Sequence, residues 1–159
     1  MAAVAVCLSV QACGLRSGSL QAVEQTLDSF HRAAAAADME GYVGRLAPDG
    51  VFLGTDASER WTRDEFRAFC EPYFARGQGW LYEPMERHVR ISPDGRTAWF
   101  DEILTNESYG TLRGSGVLRR RGEVWEIEQY NLAFLVPNGR ADEVVKVIRS
   151  GGHDTGSPP

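Results

Sequence analysis

Four consecutive strand-like segments constrain the fold of this sequence more than any other feature. They lie at residues 80–91, 97–106, 110–120 and 123–136. Three of them, all but 110–120, are rich in aromatic and β-branched residues, and the gaps between the four carry turn signals: a Pro-Asp-Gly, a short polar loop and an Arg-Gly. Short connections of this kind join antiparallel neighbours. The sequence therefore predicts an antiparallel meander of four long strands.

The residues before the meander favour helices. Apolar side chains from Leu20 to Ala34 recur at helical spacing and predict a first helix. Asp38 is placed to cap a short second helix, which ends at a Pro-Asp-Gly turn at 48–50. A short strand is predicted at 51–53.

A third helix begins with a capping signal. Thr62 and Glu65 have the spacing of a capping box, and Trp61 is positioned to pack against Phe66 as a hydrophobic staple. Helices followed by long strands are typical of an α+β domain, which we place at 19–150 and which ends in an amphipathic helix. A polar tail at 151–159 is expected to be disordered.

The first 18 residues have the character of an export leader. Residues 1–12 are apolar and carry no charge, and they are too few to span a bilayer. The segment ending at Cys13 resembles the lipobox of bacterial lipoproteins, in which that cysteine is lipidated. We therefore expect an exported protein, either periplasmic or anchored to a membrane through Cys13. The alternative is an untargeted cytosolic chain with an apolar first helix.

Charge and composition narrow the classes of partner. The net charge of −5 argues against nucleic acid, because phosphate binding needs a concentrated basic face. The sequence has neither the ligand spacing of a metal site nor the glycine-rich phosphate loop of a nucleotide site. We therefore expect no metal and no cofactor. Cys70 shares the apolar face of the third helix, which favours a core residue over a nucleophile.

Several blocks of sequence resemble the SnoaL-like group of the nuclear transport factor 2-like superfamily. The blocks are Phe30-His31-Arg32-Ala33-Ala34, Gly50-Val51-Phe52-Leu53-Gly54-Thr55-Asp56, Glu59-Arg60-Trp61, Ala98-Trp99-Phe100-Asp101-Glu102, Arg113-Gly114-Ser115-Gly116-Val117-Leu118 and Trp125-Glu126-Ile127-Glu128-Gln129-Tyr130-Asn131-Leu132. The resemblance implies a cone-shaped half-barrel, in which a curved, mainly antiparallel sheet wraps around the N-terminal helices and leaves an interior cavity. Members of that superfamily include isomerases, cyclases and dehydratases as well as non-catalytic modules, so the resemblance does not choose between enzyme and binder.

Alternation along the last strand predicts part of the cavity wall. Trp125, Ile127, Gln129 and Asn131 share one face of an unbroken strand, and the two apolar residues suggest that this face looks into the cone. Gln129 and Asn131 are then polar groups of a ligand pocket, or they bond to neighbouring strands. We weigh these two readings evenly.

Asp101 and Glu102 are the candidate catalytic residues. Because they are adjacent on a strand, only one of them can point inward, and the flanking residues do not settle which. The inward carboxylate is either a general base with a raised pKa or the partner of Arg113 in a structural ion pair, and we favour the ion pair.

Four further side chains complete the predicted ligand pocket. They are Trp61, Trp99, Arg113 and His31. His31 lies beside the apolar stripe of the first helix. The favoured alternative for it is a core histidine whose ring nitrogens are hydrogen-bonded within the protein. Trp61 is equally well explained by the staple against Phe66.

Three functions follow as hypotheses. The leading one is a non-catalytic domain that binds a small apolar or amphipathic molecule. The second is an isomerase, cyclase or hydratase that uses Asp101 or Glu102 as its base. The third is a homodimerisation module in which Tyr130, Leu132 and Phe134 lie on the outer face of the sheet and contact a second copy.

Overall fold

The protein is described by a computed structural model that covers residues 4–150, with side chains from residue 19 onward. In chain order the elements are α1 (Val4–Ala35), α2 (Met39–Tyr42), β1 (Leu46–Leu53), β2 (Arg60–Thr62), α3 (Arg63–Phe74), β3 (Glu83–Ile91), β4 (Thr97–Asn106), β5 (Gly110–Arg121), β6 (Val124–Phe134) and α4 (Ala141–Ser150). Single 3-10 turns precede β1 and α4. The side chain of Cys13 and the tail at 151–159 lie outside the described part, so lipidation and disorder stay predictions.

The predicted helix starts are confirmed at α2 and α3. The Asp38 side chain accepts a hydrogen bond from the backbone N–H of Gly41, which satisfies a donor left free in the first turn of α2. Thr62 and Glu65 form a complete capping box at the start of α3. The rings of Trp61 and Phe66 stack with their centroids 5.7 Å apart, as the staple predicts.

The six strands form one curved, unclosed sheet in the order β2-β1-β6-β5-β4-β3. The four meander strands pair antiparallel with their neighbours, as predicted, whereas β1 pairs parallel with β6. Helix α1 packs against β3 and β6, and α3 packs against β1 and β2. The concave side of the sheet therefore wraps the helices, and this is the expected α+β half-barrel.

A bulge in β6 overturns the predicted orientation of its second half. Leu118 of β5 pairs with Ile127, but the preceding Val117 pairs with Gln129, so Glu128 is an extra residue in β6. An extra residue shifts the alternation by one and exchanges the two faces. As a result Tyr130 is buried, whereas Gln129 is exposed on the convex side.

Strand β1 begins earlier than predicted. The Pro-Asp-Gly segment at 48–50, predicted as a turn, lies within the strand, and the pairing of β1 with β6 is irregular between Leu46 and Val51. A bulge here accommodates the proline without ending the strand. Strand β2 has three residues, too few to show an alternating pattern in the sequence.

The C-terminal helix α4 is amphipathic and contributes no buried residue to the core of the described domain. Val147 and Ile148 are 69% and 68% exposed. Among the described residues, no helix combines the length and the apolar character needed to cross a membrane.

Candidate functional site

A carboxylate with no solvent exposure lies at the centre of the cone. Glu102 on β4 is 0% exposed, and each of its oxygens is hydrogen-bonded. Its Oε1 lies 2.7 Å from Nε2 of His31 on α1 and accepts a hydrogen bond of 2.9 Å from the Tyr130 hydroxyl on β6. Its Oε2 accepts a hydrogen bond of 2.7 Å from Nε of Arg87 on β3. One carboxylate thus ties together three strands and the first helix.

Arg87 extends this network toward the surface. Its Nη1 donates to Oδ1 of Asp28 at 2.7 Å and makes a longer contact of 3.4 Å with the carbonyl oxygen of Glu24. Asp28 is about half exposed, so the chain of alternating charges runs from the core of the cone to the solvent along α1. A buried carboxylate held by a guanidinium and two further donors is fully compensated.

The surroundings keep Glu102 ionised. Burial alone raises the pKa of a carboxyl group, but the hydrogen bonds and electrostatic interactions with His31 and Arg87 outweigh it, so the pKa of Glu102 lies below its ordinary value of 4.5. Because an ionised carboxylate only accepts, Nε2 of His31 must carry the proton that they share. Burial, reinforced by the nearby charge of Glu102, raises the pKa of Tyr130 well above its ordinary value, so the phenol is a neutral donor.

Gly114 makes room for this network. It is the residue of β5 that pairs with Glu102, and a Cβ added there would collide with the Tyr130 hydroxyl and lie 2.8 Å from Oε1 of Glu102. Such an approach is closer than real Cβ contacts. A glycine is therefore needed here so that the side chains of Tyr130 and Glu102 can approach the backbone of β5, which is a common reason for a glycine within a strand.

The inward carboxylate forms an ion pair, but with Arg87 and not with the predicted Arg113. Asp101 and Arg113 are both exposed on the convex face, where Arg113 lies opposite Ile103. The prediction that Arg113 pairs with the inward carboxylate is wrong, because Arg87 of the neighbouring strand on the other side takes that place. Arg87, Val89 and Ile91 lie at alternate positions of β3 and therefore share its inner face. A single arginine in an otherwise apolar series is the signal that could have revealed Arg87 as the partner of the buried carboxylate.

A separate cavity opens at one end of the cone. Its volume is about 620 Å³, which is large enough for a small organic molecule. Nine of its fifteen lining residues are aromatic, and five others come from the loop at 54–59 that joins β1 to β2. Phe52 and Phe66 contribute to the lining, while Tyr109 and Phe134 pack edge to face with their centroids 5.4 Å apart.

Aromatic rings separate the cavity from the buried carboxylate. Phe52 stacks on Phe66 at 4.0 Å and on Tyr130 at 5.4 Å, so the phenol that holds Glu102 lies behind a ring of the cavity wall. Neither Glu102 nor His31 lines the cavity. The charged network and the cavity are therefore two adjoining parts of one cone rather than a single site.

Of the six predicted pocket residues, only Trp61 lines this cavity. His31 is buried in the charged network, which matches the alternative of a satisfied core histidine. The other four were predicted wrongly to face inward and instead lie on the convex face: Trp99, Arg113, Gln129 and Asn131. The bulge in β6 explains the last two, since it reverses the face on which they lie.

Cys70 has a plain structural explanation. Cys70 is 0% exposed on α3, and burial raises the pKa of its thiol to about 12, so it is a core residue with no thiolate character at neutral pH. Within the described residues, no group of three or more His, Cys, Asp or Glu side chains is arranged to hold a metal ion.

Comparison with protein families gives a match that covers well over half of the chain. The SnoaL-like domain matches residues 23–137, from the middle of α1 to the end of the meander. The chain belongs to the SnoaL-like domain family. The match includes the buried network and every residue that lines the cavity. No curated protein matches the chain.

Solved structures share the fold of this SnoaL-like domain at low sequence identity. A domain of unknown function with a cystatin-like fold from Nostoc punctiforme has a TM-score of 0.67 and 16% identity, with 87% of this chain and 90% of that chain covered. A candidate dehydratase of the nuclear transport factor 2-like family from Streptomyces avermitilis has a TM-score of 0.65 and 13% identity, with 77% and 99% covered. A nuclear transport factor 2-like protein of unknown function from Pseudomonas putida has a TM-score of 0.59 and 18% identity, with 70% and 82% covered. At these identities the likeness establishes the fold.

Proposed function

We propose that this SnoaL-like domain binds a small, largely apolar or amphipathic molecule in the aromatic cavity. The observation that carries the proposal is the cavity itself, whose volume of about 620 Å³ and mainly aromatic lining are typical of a small-molecule site. Polar groups of the loop at 54–59 stand at the same cavity, so a ligand with one polar end would be complemented there.

The positions of the two predicted base candidates, Asp101 and Glu102, favour binding over catalysis by either of them. A general base must come within hydrogen-bond reach of the proton that it removes. Glu102 is fully buried behind the cavity wall and holds three donors, while Asp101 lies on the convex face. The enzymatic alternative, with Asp101 or Glu102 as general base in an isomerase, cyclase or hydratase, therefore has weaker support.

Binding at this cavity can be tested with matched variants at the two ends of β6. Phe134 and Val124 are 47% and 53% exposed, but only Phe134 lines the cavity. We expect a panel of small aromatic and aliphatic probes to raise the melting temperature of the domain, and Phe134→Ala to weaken that stabilisation while Val124→Ala preserves it. If no probe stabilises the domain, or both variants bind equally well, the proposal fails.

A homodimer is a second candidate, supported by the convex face of the sheet. Trp99, Val117 and Gln129 lie side by side on adjacent strands, and Trp99 is 45% exposed. An uncharged row with an exposed tryptophan suits a second copy of the chain. The residues first predicted for this interface do not form it, because Tyr130 and Leu132 are buried and Phe134 lines the cavity.

A further inference from the structure

We infer that the aromatic cavity is selective for small organic cations, namely substituted ammonium groups that carry an apolar substituent. This inference rests on the proposed function, since it names the class of ligand for the same cavity. It is carried by two properties of the lining that occur together, namely the carboxylate of Glu59, which forms no ion pair with any described residue, and a high density of aromatic rings.

The charge of the lining has one sign. Its only ionisable carboxylates are Asp56 and Glu59, and none of the fifteen described lining residues is a lysine, arginine or histidine. Arg60 follows Glu59 in the sequence and is the neighbour of Trp61 on strand β2. Because neighbouring side chains of a strand point to opposite faces and Trp61 lines the cavity, Arg60 lies on the face away from the cavity. Glu59 makes no ion pair with any described residue, in contrast to Glu40 or Glu102.

Local backbone geometry holds Glu59 at the cavity. Its Oε2 accepts a hydrogen bond of 3.1 Å from the backbone N–H of Asp56, and its Cβ would lie 2.9 Å from a side chain added at Gly54. The glycine thus leaves the space into which the carboxylate folds. Glu59 and Tyr82 both line the cavity, and burial, followed by the neighbouring Tyr109 and Glu59, raises the pKa of Tyr82 to about 12, so this phenol of the wall is neutral.

The rings of the wall suit the same kind of ligand. Trp61 stacks on Phe69 at 4.5 Å, Phe69 stacks on Trp80 at 6.0 Å, and both tryptophans line the cavity. The faces of tryptophan and tyrosine attract cations through their quadrupoles, and quaternary ammonium groups are bound by such aromatic cages. The net charge of −5 adds a long-range attraction for cations. An anionic ligand of the same size would instead meet the negative charge of Glu59, with no lysine, arginine or histidine in the described lining.

Two isosteric probes separate charge from shape. (4-Hydroxyphenyl)trimethylammonium and 4-tert-butylphenol share a phenol and differ only in whether the bulky group is a cation. Binding is measured by isothermal titration with the full chain, at a slightly acidic pH where both phenols are protonated. We expect the cation to bind about tenfold more tightly than the neutral isostere, and 4-hydroxybenzenesulfonate to bind more weakly than either.

The role of Glu59 is tested by Glu59→Gln, which keeps the shape of the side chain and an oxygen acceptor for the Asp56 N–H. We expect this variant to lose most of the preference for the cation over the neutral phenol, measured as the ratio of the two dissociation constants. Glu71→Gln on the exposed face of α3 makes the same change in net charge away from the cavity and is the matched control, so its preference should be unchanged.

The outcomes distinguish this inference from the function on which it rests. If 4-tert-butylphenol binds and the cation binds no better, the selectivity is refuted and the binding cavity stands. A preference that survives in Glu59→Gln, or that disappears equally in Glu71→Gln, also overturns the inference. If none of the three probes binds, both the selectivity and the proposed cavity function are overturned.

Discussion

Nε2 of His31 on the first helix lies 2.7 Å from Oε1 of Glu102 on the fourth strand, seventy-one positions away in the chain. This contact joins the helix to the inner face of the sheet. The Glu102 side chain has no solvent exposure there. The contact also explains why the carboxylate of this cone is structural. Three donors, from His31, Arg87 and Tyr130, already occupy Glu102.

Glu102→Gln is expected to destabilise the domain strongly. The substitution removes the buried carboxylate partner of Arg87 and leaves the half-exposed Asp28 to pair with the guanidinium. Breaking a buried ion pair on one side costs about 3–5 kcal/mol, and the remaining contact with Asp28 should hold the loss toward the lower end of that range. Asp101→Asn is the matched control because Asp101 is exposed on the other face, and we expect a change within about 0.5 kcal/mol. Urea unfolding of both variants measures these free energies. Equal, small effects would show that the network contributes little.

The stability of the domain should fall on acidification in a way that depends on Glu102. Since its pKa is lower in the folded state than the ordinary 4.5, the folded state binds fewer protons than the unfolded state in that range. The stabilisation is therefore complete above about pH 4.5 and is lost as the pH falls through the lowered pKa. Unfolding free energies measured across this range should decline less steeply for Glu102→Gln than for the wild type. A parallel decline in both proteins would contradict this assignment.

Much of the architecture is encoded locally and could be predicted. The capping box of Thr62 and Glu65, the cap at Asp38 and the strand at 97–106 are formed by neighbours in sequence, so spacing reveals them. The inward face of β4 could not be chosen from the sequence, because apolar residues accompany both Asp101 and Glu102. Only pairing with Arg87 and His31, which are distant in the chain, determines it.

The wrong prediction for Gln129 and Asn131 has a single cause. We assumed an unbroken alternation along β6, whereas the apolar residues themselves change phase between Ile127 and Tyr130. That change of phase is the sequence signature of a bulge. The cavity could not be derived in the same way, because its lining comes from the loop at 54–59, α3 and six other segments that only the tertiary fold brings together.

Gly114→Ala tests how closely the network is packed. The added methyl group would overlap the Tyr130 hydroxyl and press on Oε1 of Glu102, so we expect a loss of about 1–3 kcal/mol of stability. Ser115→Ala, one residue along on the convex face, is the control and should have little effect. Chemical denaturation supplies the comparison. A stable Gly114→Ala protein would mean that the network relaxes without cost.

Dimerisation through the convex face predicts a concentration-dependent mass. Sedimentation equilibrium should give twice the chain mass for the wild type, and Trp99→Glu should shift it to the monomer, because a charge would be buried at the interface. Val124→Glu places the same charge at a similarly exposed position at the end of β6 and should remain dimeric. A monomeric wild type at high concentration would exclude this interface.

The indole N–H resonances of the four tryptophans test the central claim most directly. Trp61 and Trp80 line the cavity, Trp99 lies on the convex face, and Trp125 is buried in the core. In heteronuclear NMR spectra recorded during titration with 4-tert-butylphenol, we predict saturable shifts for Trp61 and Trp80, with Trp99 and Trp125 unchanged. Saturation that moves only Trp99, or no shift of Trp61 and Trp80 at any concentration, would contradict a ligand site in the aromatic cavity.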